Sequence, residues 1–342
     1  MFRLTSDITI GGFQFTTVAR VRVKRSISSP ADMCYITLPA YGRITTGKRA
    51  DAAKMQAIRS LFKEGDKVVV KLGYNGKLET EFEGFVLRKG FGNPFEIECE
   101  GWSYRLRLSV SLKGYYSKIT AGELLQLVAK QVPGLKVTVN DDLPLLGIRL
   151  MNANGIDVIK EIKRISAGTL NIFFIAPNHL WCGFVYLDAS RDNARDKAVW
   201  SQFAETKYRI GYNCIRNSGL TVRMPAEKVQ VIMNGMLVTG DKVRTQSEEK
   251  YAQTKVQHTV NQVGDIAIIK KMAQELQLKK NYTGVEGRLT AFLQPFCNVG
   301  YGVTVTDARN SDISGRYVVE GCEVDFGTSG ARRILELGSK IL

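Results

Sequence analysis

The chain has 342 residues, 44% of them hydrophobic and 24% charged, a composition that belongs to a globular protein of about two or three domains and excludes a largely disordered one. No uninterrupted apolar run approaches the roughly 18 residues that a membrane-spanning helix needs. A formal charge of +15 points to an acidic partner, whether nucleic acid, a membrane surface or an acidic protein face, although the basic residues are spread along the whole chain. The N-terminal MFRLTSDITIGGFQF lacks a basic region followed by an apolar stretch, so no secretory signal is read and folding in a cytoplasm is expected. Six cysteines (Cys34, Cys99, Cys182, Cys214, Cys297 and Cys322) are scattered singly, the pattern of buried free thiols.

Residues 1–112 read mostly as strands. In TTVARVRVKRS, Val21 and Val23 fall on one face and Arg20, Arg22 and Lys24 on the other, the period of a half-buried strand. MCYITL, Met33 to Leu38, is a further strand. GRITTGKR, Gly42 to Arg49, then matches the G-x-x-x-x-G-K of a phosphate-binding loop, and RADAAKMQAIRSLF, Arg49 to Phe62, is predicted as a helix. Arg49 replaces the magnesium-ligating Ser or Thr, however, and the chain continues as hairpins where a nucleotide-binding sheet needs parallel βαβ units. The stretch is therefore assigned as a strand-end loop. DKVVVKLGYNGKLETEFEGFVLRKGFGNPFEIECEGW gives a series of strands with turns at Tyr74-Asn75-Gly76 and at Gly90 to Pro94, fitting a small antiparallel barrel or sandwich. Along these strands Glu79, Glu81 and Glu83 are expected on one face, and Glu96, Glu98 and Glu100 on one face of the next.

Residues 113–197 form a compact α+β unit. TAGELLQLVAKQV carries a Thr cap with an acidic residue three positions on and stops before Pro133-Gly134, the signature of a helix. LKVTVN is a strand, NANGIDVIKEIKRIS has the apolar stripe of a second helix, and TLNIFFIA and LWCGFVYLD are read as strands joined at Pro177-Asn178. Strands return in residues 198–240 and 285–342. Between them, residues 241–284 hold a polar, mixed-charge stretch and a predicted helix, DIAIIKKMAQELQLKKNY, read together as a helical insertion. EGDKVVVKLG…EFEGFVLRK and NVGYGVTVTD…GRYVVEGCEVDF look alike, each with a glycine before an alternating strand and then a strand carrying Glu-Gly; Glu83-Gly84 and Glu320-Gly321 mark the equivalent positions.

Chemistry is sparse. His179 and His258 have no ligand-spaced partner, no G-x-S-x-G elbow is present, and no catalytic, cofactor or metal residue is assigned. Rows of carboxylates can serve glycoside hydrolysis, but that reaction needs one acid and one base, not six carboxylates along a sheet. A solvated face is the simpler reading. A third reading pairs the acidic Glu79, Glu81 and Glu83 face with the basic Arg20, Arg22 and Lys24 face of a neighbouring subunit, because complementary potentials fix register. The basic strand could instead meet DNA phosphates, but it lacks interleaved aromatics and any known recognition motif.

The order of parts resembles the central baseplate hub proteins of contractile phage tails, Mu-like tail proteins and the hub part of type VI secretion spikes among them. The resemblance rests on GDKVVVKLGY…FEGFVLRK…PFEIECEGWSYRLR, on ITAGELLQLVAKQV and on GRYVVEGCEVDFGTSGARRILELG, and covers nearly the whole chain. It implies an α+β chain with two tube-type antiparallel β-barrels, residues 1–112 and 198–240 plus 285–342, separated by the α+β domain of residues 113–197, the second barrel being interrupted by the insertion at 241–284. It further implies a homotrimer whose six barrels adapt a sixfold tail tube protein to a trimeric spike, located in the virion tail baseplate, with the genome DNA passing through without specific binding. Because the sequence stops at Leu342, soon after the second barrel, a separate spike protein is expected. A glycan-cleaving tail enzyme and a non-specific nucleic-acid-binding protein are the alternatives.

Overall fold

A computed structural model describes residues 3–43, 55–190, 205–216, 219–236, 240–249 and 251–341. The N-terminal segment contributes β1 (Leu4–Ile10), β2 (Phe13–Phe15), β3 (Arg20–Ser26), β4 (Ser29–Leu38), a small separate hairpin of β5 (Tyr41–Arg43) and β6 (Met55–Ala57), then β7 (Lys67–Tyr74), β8 (Lys77–Lys89) and β9 (Phe95–Glu100). Apart from the hairpin, these strands pair antiparallel in the order β3-β4-β9-β8-β7-β1-β2. Most of GRITTGKR and the first part of the predicted helix at Arg49 to Phe62 lie outside the described residues. The remainder of that prediction is corrected: Met55–Ala57 pairs with Tyr41–Arg43 and only Ile58–Leu61 turns, as a 3-10 helix. Pairing across the hairpin overrides a weak helical preference.

The middle segment holds α1 (Ser103–Arg107), β10 (Leu112–Thr120), α2 (Ala121–Ala129), β11 (Lys136–Val139), β12 (Pro144–Ala153), α3 (Gly155–Ile165), β13 (Asn171–Ala176), β14 (His179–Gly183) and α4 (Val185–Ser190). Thr120 and Glu123 form the expected capping box of α2, and Asn154 with Asp157 forms another at α3. LWCGFVYLD is only partly a strand, since β14 ends at Gly183 and the chain turns into α4.

The remainder supplies β15 (Glu205–Arg209), β16 (Leu220–Arg223), β17 (Val229–Met236), β18 (Lys242–Gln246), β19 (Thr254–Val260), α5 (Ile266–Asn281), β20 (Gly284–Ala291), β21 (Gly302–Thr306), β22 (Gly315–Gly327) and β23 (Gly330–Ile341). The 241–284 segment is thus more than helical: β18 and β19 flank β17 in a three-stranded sheet against which α5 packs. Val243, Thr245, Val256 and His258 alternate with exposed polar residues there, a period of two hidden within a strongly polar composition.

β22 pairs with β3 over Gly321↔Ser26 to Gly327↔Arg20, so both β segments join in one 13-stranded sheet. Among the described residues its path does not close on itself. Two buried clusters follow. One gathers apolar side chains of both β segments, with Val21, Val23 and Val324 fully buried at the seam. The other joins the middle segment to β17, β19 and α5 through residues such as Leu145, Val231, Ile269 and Met272. Lys271 reinforces that second junction by pairing with the buried Asp141 at 2.5 Å.

Candidate functional site

Glu81 is where the two β segments meet chemically. β8 pairs with β7 through Val70↔Phe82 and Lys71↔Thr80, so Glu81 is the extra residue of a β-bulge. A bulge re-aims side chains relative to a regular strand. Glu79 consequently stays exposed, Glu83 is half-buried beside Lys67 at 3.2 Å, and Glu81 is 1% exposed. The expectation that all three carboxylates share one solvent face is corrected by this bulge.

Inside, Glu81 accepts from Arg333 Nη2 at 2.5 Å and Nη1 at 3.3 Å, and from Arg25 Nη2 at 3.3 Å. Arg333 also donates to the carbonyls of Cys297 at 2.7 Å and Leu293 at 3.0 Å and lies 5.0 Å from the Phe296 ring centroid. Burial opposes the Arg333 charge, yet Glu81 together with Cys322 and Tyr208 outweighs it and its pKa is raised. Sequence reading missed Arg333. The available signal was its phase in GARRILELG, where it alternates in step with the buried Ala331, Leu335 and Leu337.

Arg25 lies between this pair and a cavity of about 220 Å³ where both β segments meet the β13–β14 turn. Its side chain is 7% exposed, and its Nε has no hydrogen-bond partner. Asp32 lines the same cavity; burial pushes its carboxyl up to about 7, against the opposing pull of Arg25.

The basic face of β3 is occupied within the chain. Arg20 grips Asp325 through two bonds of 2.8 and 2.6 Å, Lys24 lies 3.9 Å from Glu323, and Arg22 sits 5.2 Å from the Tyr35 ring centroid. Cross-strand neighbours continue this row as Asp325, Arg22, Tyr35 and Glu98, with Arg88 bonded to Glu98. On β9, Glu96 is exposed, whereas Glu100 is fully buried and bonded to Ser103 and Arg107. The structure therefore pairs Arg20 and Lys24 with β22 carboxylates of their own chain and sets Arg22 beside Tyr35.

Both Glu-Gly markers fall within strands of 13 residues, β8 and β22. A Cβ on Gly84 would stand 2.3 Å from the Glu100 carbonyl oxygen, so only glycine fits there. Glu320, like Glu81, is the extra residue of a bulge, between Val319↔Leu337 and Gly321↔Glu336. Burial, aided by Glu336, raises its pKa. His179 Nε2 lies 2.8 Å from Thr138 Oγ1, and burial together with Lys136 lowers its pKa. Among the described residues no three His, Cys, Asp or Glu side chains converge as metal ligands, and all six cysteines are buried and free.

No protein-family model matches the chain, and no curated protein matches it in sequence. Solved structures do match over nearly its full length. A tail protein from Neisseria meningitidis MC58 superposes with a TM-score of 0.65 at 12% identity, covering 98% of this chain and 96% of the other. The 43 kDa tail protein of prophage MuSo2 from Shewanella oneidensis gives 0.60 at 13% identity, covering 98% of both. An Escherichia coli component of the type VI secretion system, described as structurally similar to T4 bacteriophage tail proteins, gives 0.58 at 9% identity, covering 98% of this chain and 77% of the other. At such identities the likeness is one of fold: this chain has the fold of phage tail and type VI secretion proteins.

Proposed function

We propose that the chain is the structural hub of a phage-tail baseplate or a related contractile injection machine. The observation that carries this reading is the superposition of 98% of the chain on two tail proteins, one of them from a prophage. In this reading three chains form a ring of six barrels, each chain giving one from residues 1–112 and one from residues 198–240 plus 285–342. The internal likeness supports it: β7-β8-β9 and β21-β22-β23 are both antiparallel triplets built around a strand of 13 residues. Two similar units per chain let a threefold assembly present sixfold pseudo-symmetry to a tail tube protein and threefold symmetry to a separate spike protein.

The buried Glu81–Arg333 pair and the β3–β22 seam would then hold the two units at a fixed angle, which a ring requires if it is to close. The work is geometric, with no bond made or broken, and DNA passes through the lumen without specific binding. The assembly would be made in the host cytoplasm and reside in the virion tail. Of the expected assembly-face residues, Arg20, Arg22 and Lys24 already have partners; the exposed Glu79 is the carboxylate left for a neighbouring chain.

Sedimentation of the purified protein over a range of concentration, with imaging of the particles, tests this. A mass of three chains and pseudo-sixfold projections are expected. A monomer at every concentration overturns the self-assembling ring.

A further inference from the structure

The ribbon of β10 and β12 has a surface that the hub reading leaves unused. Leu108, Val110, Tyr115 and Met151 on and beside it are 63%, 71%, 69% and 69% exposed. Tyr115 stands directly opposite Arg149, and a Cβ on Gly147 would lie 4.0 Å from the Tyr115 hydroxyl, so this part of the ribbon presents one continuous outer face. Lys113 and Arg149 are exposed on this same face and make no ion pair among the described residues, whereas Lys118, one residue out of phase, points to the other face. Neither strand contains a single Asp or Glu. Among the described residues β12 is also the only strand that pairs with β10, so the other backbone edge of β10 is open.

Isolated exposed apolar side chains are ordinary, but apolar and cationic residues gathered at an open strand edge are the features of a docking surface. The edge selects the occupant. A strand edge offers backbone donors and acceptors at the repeat of an extended chain, which a peptide backbone matches. The cations select its charge.

We propose that β10 receives an extended segment of a partner protein, added as a third strand, with carboxylates set against Lys113 and Arg149 and apolar side chains on the same face set against Tyr115 and Met151. This goes beyond the hub reading and does not depend on it, because it concerns a surface of the single chain.

The test uses the full chain and a fluorescein-labelled heptapeptide, Glu-Thr-Val-Thr-Glu-Thr-Val, which as a strand carries its Glu and Val side chains on one face, read by anisotropy. Its controls are the same peptide with alternate amides N-methylated, the Lys-Val counterpart, an oligothymidylate and vesicles of anionic lipid. Saturable binding of the acidic peptide is expected, weakened roughly tenfold or more by N-methylation and similarly by the double variant K113E/R149E. Hydrogen exchange should show protection confined to β10 in the complex. Tyr115→Ala and Met151→Ser, both at exposed positions, should weaken binding without lowering the melting temperature. Equal binding of the N-methylated peptide overturns strand addition. Tighter binding of the oligothymidylate or the vesicles, lost in K113E/R149E, reassigns the surface and overturns the peptide proposal. No binding of the acidic peptide up to millimolar concentration overturns it as well. Since every readout is obtained whether the chain is monomeric or trimeric, failure here is distinct from failure of the ring.

Discussion

Glu81 and Arg333, 252 residues apart in sequence, meet in an ion pair of 2.5 Å whose side chains are 1% and 0% exposed. Removing one member of a buried pair leaves an uncompensated charge, at a cost of about 3–5 kcal/mol. Glu81→Gln is expected to be severely destabilising, because Arg25 and Arg333 both lose their carboxylate. Arg333→Met also strands the carbonyls of Leu293 and Cys297. Urea denaturation of the two single variants and the double variant should reveal a non-additive coupling of about 0.5–3 kcal/mol; additive losses would mean that the pair does not join the two β segments energetically.

Asp32 predicts a pH dependence. Burial raises its carboxyl from 3.8 to about 7. Between those values the folded chain holds a proton that the unfolded chain has released, so this group lowers stability progressively as pH rises through the window and contributes no slope above or below it. The effect amounts to a few kcal/mol at most. Asp32→Asn should remove that part of the slope, making the variant more stable than the parent above neutral pH and nearly equal to it near pH 4. Matched urea midpoints from about pH 4 to pH 8 check this; an unchanged slope in the variant refutes it.

Glu275 on α5 is 2% exposed and accepts from the backbone N–H groups of Tyr186 at 3.2 Å and Leu187 at 2.8 Å, which open α4. Both lie in the first turn of α4, where a helix turns its N–H groups outward to acceptors beyond the helix. Glu275→Ala should cost about 1–3 kcal/mol through unsatisfied buried donors, and Glu275→Gln, which keeps an acceptor, should cost less. Hydrogen exchange at Tyr186 and Leu187 should accelerate in the Ala variant ahead of the rest of the chain. Uniform acceleration would assign the loss to packing instead.

Charge reversal separates contacts within the chain from contacts between chains. Arg20 is exposed and Asp325 half-buried at the surface, and such surface pairs contribute little, so Arg20→Ala should leave both stability and mass in solution essentially unchanged. Glu79→Lys should leave the monomer fold intact and weaken self-association, seen as a shift toward smaller species on dilution. An oligomer unaffected by Glu79→Lys removes that residue from the assembly face.

What the sequence determined by itself is what local physics encodes. The Thr120–Glu123 capping box starts a helix within four positions, the alternation of Val21 and Val23 with Arg20, Arg22 and Lys24 sets a strand's two faces, and the apolar stripe from Ile156 to Ile165 makes a helix. The order of these parts was also enough to point to the tail-protein fold that the solved structures share. Tertiary structure alone decided the rest. A one-residue bulge moved Glu81 from a surface row into the core, a shift no periodicity can carry because the count of residues between paired strands is known only once they pair. α4 replaced the expected end of a strand where Glu275, 88 residues further on, meets its first amides. The basic face of β3 found Asp325 and Glu323 because β22 lies beside it, and that adjacency spans some three hundred residues of chain. Local patterns fix which face of an element is apolar; only the assembled sheet fixes which charge each polar face will meet.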